Sequence, residues 1–203
     1  MTIIRPQSRH DLPAIEALLD TCFGVDRRAR TSYRLRDGAD CVDGLSFVAR
    51  HNGVLIGTIR FWSIAIGTDR GANGPIPGLL LGPLAVDPSA RGSGLGLKLI
   101  ARGLTAARRA GHGLALLIGD EPYYARAGFR RVAPAQLALP GPCDPDRLLW
   151  RSLDGVAALP ARGWVRPSGH LSSTLNGLPD ATRPRPGRPA ATAAAPAAAA
   201  ASA

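Results

Sequence analysis

The stretch that most constrains this chain is residues 79–107. It opens with the apolar run Leu79-Leu80-Leu81-Gly82-Pro83-Leu84-Ala85-Val86, short enough to be a buried strand. Leu99, Ile100, Leu104 and Ala107 then repeat at helical spacing. Between them lies the loop Pro88-Ser89-Ala90-Arg91-Gly92-Ser93-Gly94-Leu95-Gly96. Its alternating glycines let the backbone turn tightly and approach a ligand, while the first amides of the following helix stay unpaired. A loop of this kind suits phosphate. Gly111 and Gly113 stop the helix, and residues 114–118 read as a strand buried on both faces. Strand, loop, helix and strand make a βαβ unit, which predicts a parallel pair with a right-handed crossover.

The flanking segments are read around this unit. Residues 3–6 predict a first strand, and Asp11 is expected to cap a helix reaching Phe23, with Leu12, Ile15, Leu18, Leu19 and Cys22 on its core face. A weaker helix is expected over residues 27–36, then an acidic loop carrying Asp37, Asp40 and Asp43. Residues 45–66 predict a β-hairpin turning at Asn52-Gly53. After residue 118, a short helix is expected over 121–127, strands over 131–139 and 147–153, and an edge strand at Trp164-Val165. Residues 1–178 are taken as one domain. Residues 179–203, rich in proline, arginine and alanine, cannot build a core and are expected to be a disordered tail.

Composition narrows the function classes. No apolar run is long enough to span a bilayer and no signal peptide is evident, so a cytoplasmic protein without membrane attachment is expected. Cys22, Cys41 and Cys143 are too scattered for a disulfide framework, and His10, His51, His112 and His170 lack ligand spacing, so no metal is expected. The formal net charge of +10 invites a nucleic-acid partner, since basic surfaces release counterions from phosphates. Lys98 is the only lysine, and the arginines spread along the whole chain without an RNA-binding aromatic signature or helix-turn-helix, which disfavours that reading.

Two familiar glycine fingerprints fail at one residue. A Walker A loop needs glycine before its lysine, and a dinucleotide fingerprint starting at Gly92 needs glycine at position 97; Leu97 stands there instead. What remains is Arg91-x-x-Gly94-x-Gly96, followed one helix and one strand later by Tyr124-x-x-x-Gly128-Phe129. This combination resembles the GNAT (Gcn5-related) N-acetyltransferase superfamily. The strings Leu81-Gly82-Pro83-Leu84-Ala85-Val86-Asp87-Pro88 and Gly119-Asp120-x-Pro122-Tyr123-Tyr124 are similar to its YhbS-like branch.

The resemblance implies an α/β (mixed α+β) fold: a mixed, mostly antiparallel sheet splayed at a parallel strand pair, with helices on both faces. It implies acetyl-CoA as cosubstrate, an amine acceptor and direct acetyl transfer. Arg91, Gly92, Ser93, Gly94, Leu95 and Gly96 match the loop that receives the pyrophosphate. Leu84, Ala85 and Val86 match the strand whose exposed amides hold the pantetheine arm and thioester; Pro83 lacks an N–H and suits a bulge or an open edge. Tyr124 matches the tyrosine near the sulfur, with general acid as its role: a phenol with a reference pKa of about 10 is protonated at neutral pH and can donate toward a departing thiolate. No carboxylate stands on the central strand to serve as base, and Asp120 and Glu121 are read as structural acids at a helix start. The rival readings are an acyl-CoA sensor or noncatalytic partner subunit that keeps the loop, and an RNA- or ribosome-associated protein. The acceptor and a homodimer stay open.

Overall fold

The structure, a computed structural model, describes residues 1–39, 41–68 and 74–169. Its elements in chain order are β1 (Thr2–Pro6), α1 (Leu12–Phe23), the single-turn α2 (Thr31–Arg34), β2 (Phe47–His51), β3 (Val54–Gly67), β4 (Ile76–Val86), α3 (Leu95–Arg109), β5 (Leu114–Ile118), the single-turn α4 (Glu121–Tyr124), β6 (Arg130–Arg131), β7 (Leu137–Ala138), β8 (Leu148–Ser152) and β9 (Gly163–Pro167). They form one mixed sheet in the order β1-β2-β3-β4-β5-β8-β6, with β9 pairing both β3 and β7. All pairs are antiparallel except β4–β5 and the two-residue β7–β9.

Side-chain alternation along a strand fixes the layers. On β2, Phe47 and Ala49 pack with Leu95, Leu99, Ile100, Leu104 and Ala107 of α3, whereas Val48 packs with Ile15, Leu18 and Leu19 of α1. The two helices therefore cover opposite faces. The β2–β3 hairpin turns where expected, and Asn52 and Gly53 both take left-handed φ, 48° and 84°. A type I′ turn requires that pair of conformations, and Asn-Gly supplies it at least strain.

The pairing of β4 with β5 stops early. Only Leu79↔Ala115 and Leu80↔Leu116 are in register. Beyond them β4 stays with β3 (Ile59↔Leu84, Thr58↔Ala85, Gly57↔Val86), while β5 stays with β8 (Leu117↔Leu149, Ile118↔Leu148). The two strands thus diverge into a V. At the fork, Gly82 and Pro83 oppose the single residue Arg60, a bulge in β4. Proline is tolerated there because no ladder bond is asked of it.

Several expectations change. Asp11 does not cap α1: its side chain is 1% exposed and accepts from Arg5 (2.7 and 2.8 Å), Arg50 (2.8 Å), and the backbone N–H and hydroxyl of Ser8 (2.8 and 2.9 Å). A carboxylate with five donors has no free lone pair for the helix. The helix expected over 27–36 is a 3-10 turn (Val25–Ala29) followed by the short α2, broken where Arg30 takes an extended conformation. The strand expected over 131–139 is split into β6 and β7, because Ala135 adopts a left-handed φ of 58° and Gln136 folds back to accept from the Ala133 N–H. β4 starts earlier than expected, at Ile76. Trp164-Val165 lies in β9, between β3 and β7 rather than at a free edge. The expected tail, 179–203, lies outside the described residues, as does Asp40.

Candidate active site

The glycine loop closes on itself before it reaches the helix. The Asp87 carboxylate accepts from the Ser89 N–H and hydroxyl (2.9 and 2.6 Å), the Arg91 N–H reaches Pro88 O, and the Ser93 hydroxyl donates to Ala90 O at 2.7 Å. Gly92 and Gly94 both lie in the left-handed region, at 79° and 75°, where any side chain is strained. From Gly92 through Leu97 no N–H finds a backbone acceptor among the described residues; Lys98, bonding Gly94 O at 3.1 Å, is the first that does. These free amides sit at the positive end of the 15-residue α3, with the exposed Arg91 beside them. They form a cradle for an anion.

Gly96 is needed for a different reason. A Cβ there would collide with the Tyr123 hydroxyl and come within 3.6 Å of Val86. Tyr123, Val86 and the loop therefore meet at the start of α3, a contact that sequence spacing did not disclose.

The splayed edge of β4 leads away from this cradle. The Asp87 N–H donates to Ile56 O on β3, so in an antiparallel ladder the Ala85 N–H also faces β3, while those of Leu84 and Val86 face the opposite edge. On that edge the Val86 carbonyl accepts from the Cys22 thiol at 3.4 Å. Ala85 differs from its neighbours: its side chain is buried with α1 and its amide is used in the sheet. Leu84 and Val86 hold the open amides, because β5 has already diverged.

At the mouth of the V stands Tyr124, carried by α4 directly after β5. The Tyr123 and Tyr124 amides bond Asp120 O, and Gly128 closes the turn with a φ of 75°. The Tyr124 ring packs edge-on against Tyr123 (5.1 Å between centroids) and Phe129 (6.2 Å), and Gly119 is the residue without a Cβ that leaves it room. No hydrogen bond to its hydroxyl is present among the described residues. Burial, and then the neighbouring Tyr123 and Asp120, push this phenol well above its ordinary value, so it holds its proton across the neutral range.

Tyr124 lines a cleft of about 210 Å³ with residues 80–84 of β4, Ile118, Gly119 and Asp120. Its far wall comes from the last residue of α1, Phe23, and from Arg27, Arg30, Tyr33 and Arg36 in the segment after it. Asp120 pairs with Arg147 (3.2 Å) and Glu121 with Arg131 (2.6 Å), in keeping with structural roles, although Asp120 makes no side-chain cap to α4. Asp37 and Asp43 are exposed and do not line the cleft. Arg36 was missed by sequence reasoning; the one local sign was Tyr33 three residues before it, at the spacing that stacks the guanidinium on the ring (4.3 Å). Among the described residues, no group of three or more His, Cys, Asp or Glu is placed to hold a metal ion, and no helix is long and apolar enough to cross a membrane.

Known proteins resemble this chain in sequence and fold. The model of the Acetyltransferase (GNAT) family matches residues 12–129. The chain is 31% identical over 163 residues to the uncharacterized N-acetyltransferase YhbS of Escherichia coli (strain K12), covering 77% of this chain and 93% of that protein. The crystal structure of the Escherichia coli GNAT family N-acetyltransferase YhbS in complex with CoA superposes with a TM-score of 0.65 at 28% identity, over 82% of this chain and 89% of that one. A GNAT family acetyltransferase from Brucella melitensis, solved with acetyl-CoA, shares the fold with a TM-score of 0.59 at 24% identity, over 85% of this chain and 97% of that one. With the family model matching more than half of its residues, the chain belongs to the GNAT N-acetyltransferase family.

Proposed function

We propose that this protein transfers the acetyl group of acetyl-CoA directly to an amine, with residues 91–96 and the open edge of β4 as the donor site and Tyr124 as the proton donor. One observation carries the reading: a run of free amides at a helix N-terminus is continuous, through Val86 and Leu84, with an unpaired strand edge that ends beside a protonated, half-buried phenol. The residues fit the group. The left-handed glycines leave open space over the cradle, and an unpaired edge suits the amide-bearing pantetheine arm. When bound, acetyl-CoA supplies an activated thioester.

The chain's own residues do the rest. The amides of Gly92, Ser93, Gly94, Leu95 and Gly96 bind the pyrophosphate, assisted by Arg91 and the helix dipole. Leu84 and Val86 align the arm in the cleft. Tyr124 keeps its proton and points a hydrogen bond where negative charge grows on sulfur; full proton transfer from so weak an acid is uphill, so its contribution is stabilisation in the transition state.

The test is calorimetric titration with acetyl-CoA, followed by an amine screen read as CoA thiol release. Binding and amine-dependent release are expected, with Arg91→Ala weakening acetyl-CoA binding in a normally folded protein. Absence of binding refutes the donor site; binding without release across the screen favours an acyl-CoA sensor.

A further inference from the structure

The cleft is walled by four arginines, Arg27, Arg30, Arg36 and Arg147, and its one lining carboxylate, Asp120, is paired with Arg147 rather than free to draw a cationic amine. Two of the four are already paired with carboxylates. Arg27 is paired with Glu16 (2.7 Å) and Asp20 (2.9 Å), and Arg147 lies 3.2 Å from Asp120; Arg60, outside the lining, lies 3.8 Å from Glu16. Arg30 donates to the Phe23 carbonyl at 3.1 Å and packs over the Phe23 ring. Arg36 is different. It is only part-exposed, unlike Arg30, and unlike Arg27 and Arg147 it has no carboxylate within ion-pair distance among the described residues; its Nε, like those of Arg27 and Arg60, is buried without an acceptor. Tyr33 and Trp62 hold its guanidinium by ring contacts at 4.3 and 6.0 Å. Burial brings its pKa down to about 10, against the partial compensation of the Tyr33 hydroxyl and with a smaller push from the charges of Arg60 and Arg27, so it stays cationic at neutral pH.

An uncompensated guanidinium inside a cleft is costly unless a ligand completes it. Its position says which ligand. A Cβ on Gly82, at the bulge where β4 leaves β5, would lie 3.5 Å from Arg36 Nη2. Val86 and the glycine cradle begin four residues further on, about 13 Å along a strand rising ~3.3 Å per residue. Arg36 therefore serves the acetyl end of the cleft and not the pyrophosphate. The cleft's volume of about 210 Å³ is below the ~300–1,000 Å³ of sites for drug-sized ligands, which favours a small acceptor. We propose that the acceptor is a small amine carrying an oxyanion, carboxylate or phosphate, and that Arg36 binds that oxyanion through its planar fork. This rests on the transferase reading above.

The experiment measures initial rates of CoA thiol release by the full chain with skeleton-matched amines: amino acids, their amides, the amines left when the carboxylate is removed, and aminoalkyl phosphates. The oxyanion-bearing members are expected to exceed their neutral partners in kcat/KM on the order of 10–100-fold, the range of a charge-assisted pair. The carboxylate and phosphate arms identify which oxyanion is preferred. Arg36→Gln is expected to raise the KM for the preferred acceptor by the same factor, with unchanged acetyl-CoA affinity and a melting temperature that does not fall. Arg36→Lys, which keeps the charge but loses the fork, is expected to fall between. Equal or faster turnover of the amides or decarboxylated amines overturns the proposal, as does an oxyanion preference that survives in Arg36→Gln. Failure of acetyl-CoA to bind is read separately by calorimetry and overturns the transferase reading itself.

Discussion

Tyr124→Phe separates chemistry from architecture, because the structure assigns the hydroxyl no bond to maintain. The ring contacts with Tyr123 and Phe129 are kept by phenylalanine, and the hydroxyl has no partner among the described residues. Removing a half-buried hydroxyl without a partner costs no native hydrogen bond, so stability is expected to change by less than about 1 kcal/mol, toward stabilisation. Turnover has the opposite expectation. A donor aimed at developing charge is worth about 10²–10³-fold in kcat. Steady-state kinetics with varied acetyl-CoA should show kcat lowered by about that factor, an unchanged KM for acetyl-CoA, and an unchanged melting temperature. Since the phenol is raised, wild-type turnover should not fall through loss of this proton as pH rises to its ordinary value of about 10. Tyr123→Phe is the control: its hydroxyl faces Gly96, so any loss should fall on donor affinity. Wild-type kcat in Tyr124→Phe, or a loss confined to acetyl-CoA affinity, refutes the proton-donor assignment.

The remaining expectations test the scaffold. Gly119→Ala puts a Cβ against the Tyr124 ring and should lower kcat by displacing the phenol while acetyl-CoA still binds; unchanged kcat would show that the position of this ring is immaterial. Asp11→Asn should destabilise the fold by about 1–3 kcal/mol at pH 7 in urea titrations, less than a fully buried ion pair because Arg5 and Arg50 remain part-exposed. Burial alone raises the Asp11 carboxyl, but its bonds from Arg5, Arg50 and Ser8 outweigh that and hold it well below the usual carboxylate range. A group depressed in the folded state stabilises above its unfolded pKa of about 3.9. The gap between wild type and Asp11→Asn should therefore close as pH falls below about 4, and a pH-independent gap would contradict the ion-pair account.

Much of the backbone geometry of the proposed donor site was legible because its signals are local. Gly92 and Gly94 carry left-handed turns, Pro83 carries the bulge, and Leu99, Ile100 and Leu104 carry the helix; each acts through backbone within a few residues. The segment 25–36 was less legible. Its break at Arg30 leaves only a single helical turn, and the charged side chains there are ordered by partners far away, Glu16 and Asp20 on α1 and Trp62 on β3. Asp11 misled for the same reason. An aspartate before an apolar helix reads as a cap, but two arginines from neighbouring strands claim it first. The arginines that line the cleft had no joint sequence signal, because they are spread over residues 27–36 and 147 and meet only in the fold.

The sequence by itself determined that a strand, a glycine loop and a helix follow one another, with a tyrosine four residues before Gly128, since torsional freedom and periodicity are properties of adjacent residues. Tertiary structure decided what those pieces face. The register of β4 on β3 leaves the Leu84 and Val86 amides open, the packing of Tyr123 makes a Cβ intolerable at Gly96, and the segment after α1 brings Arg36 to Gly82. Those contacts join residues tens of positions apart, and only the register and packing of the closed fold determine which of them meet.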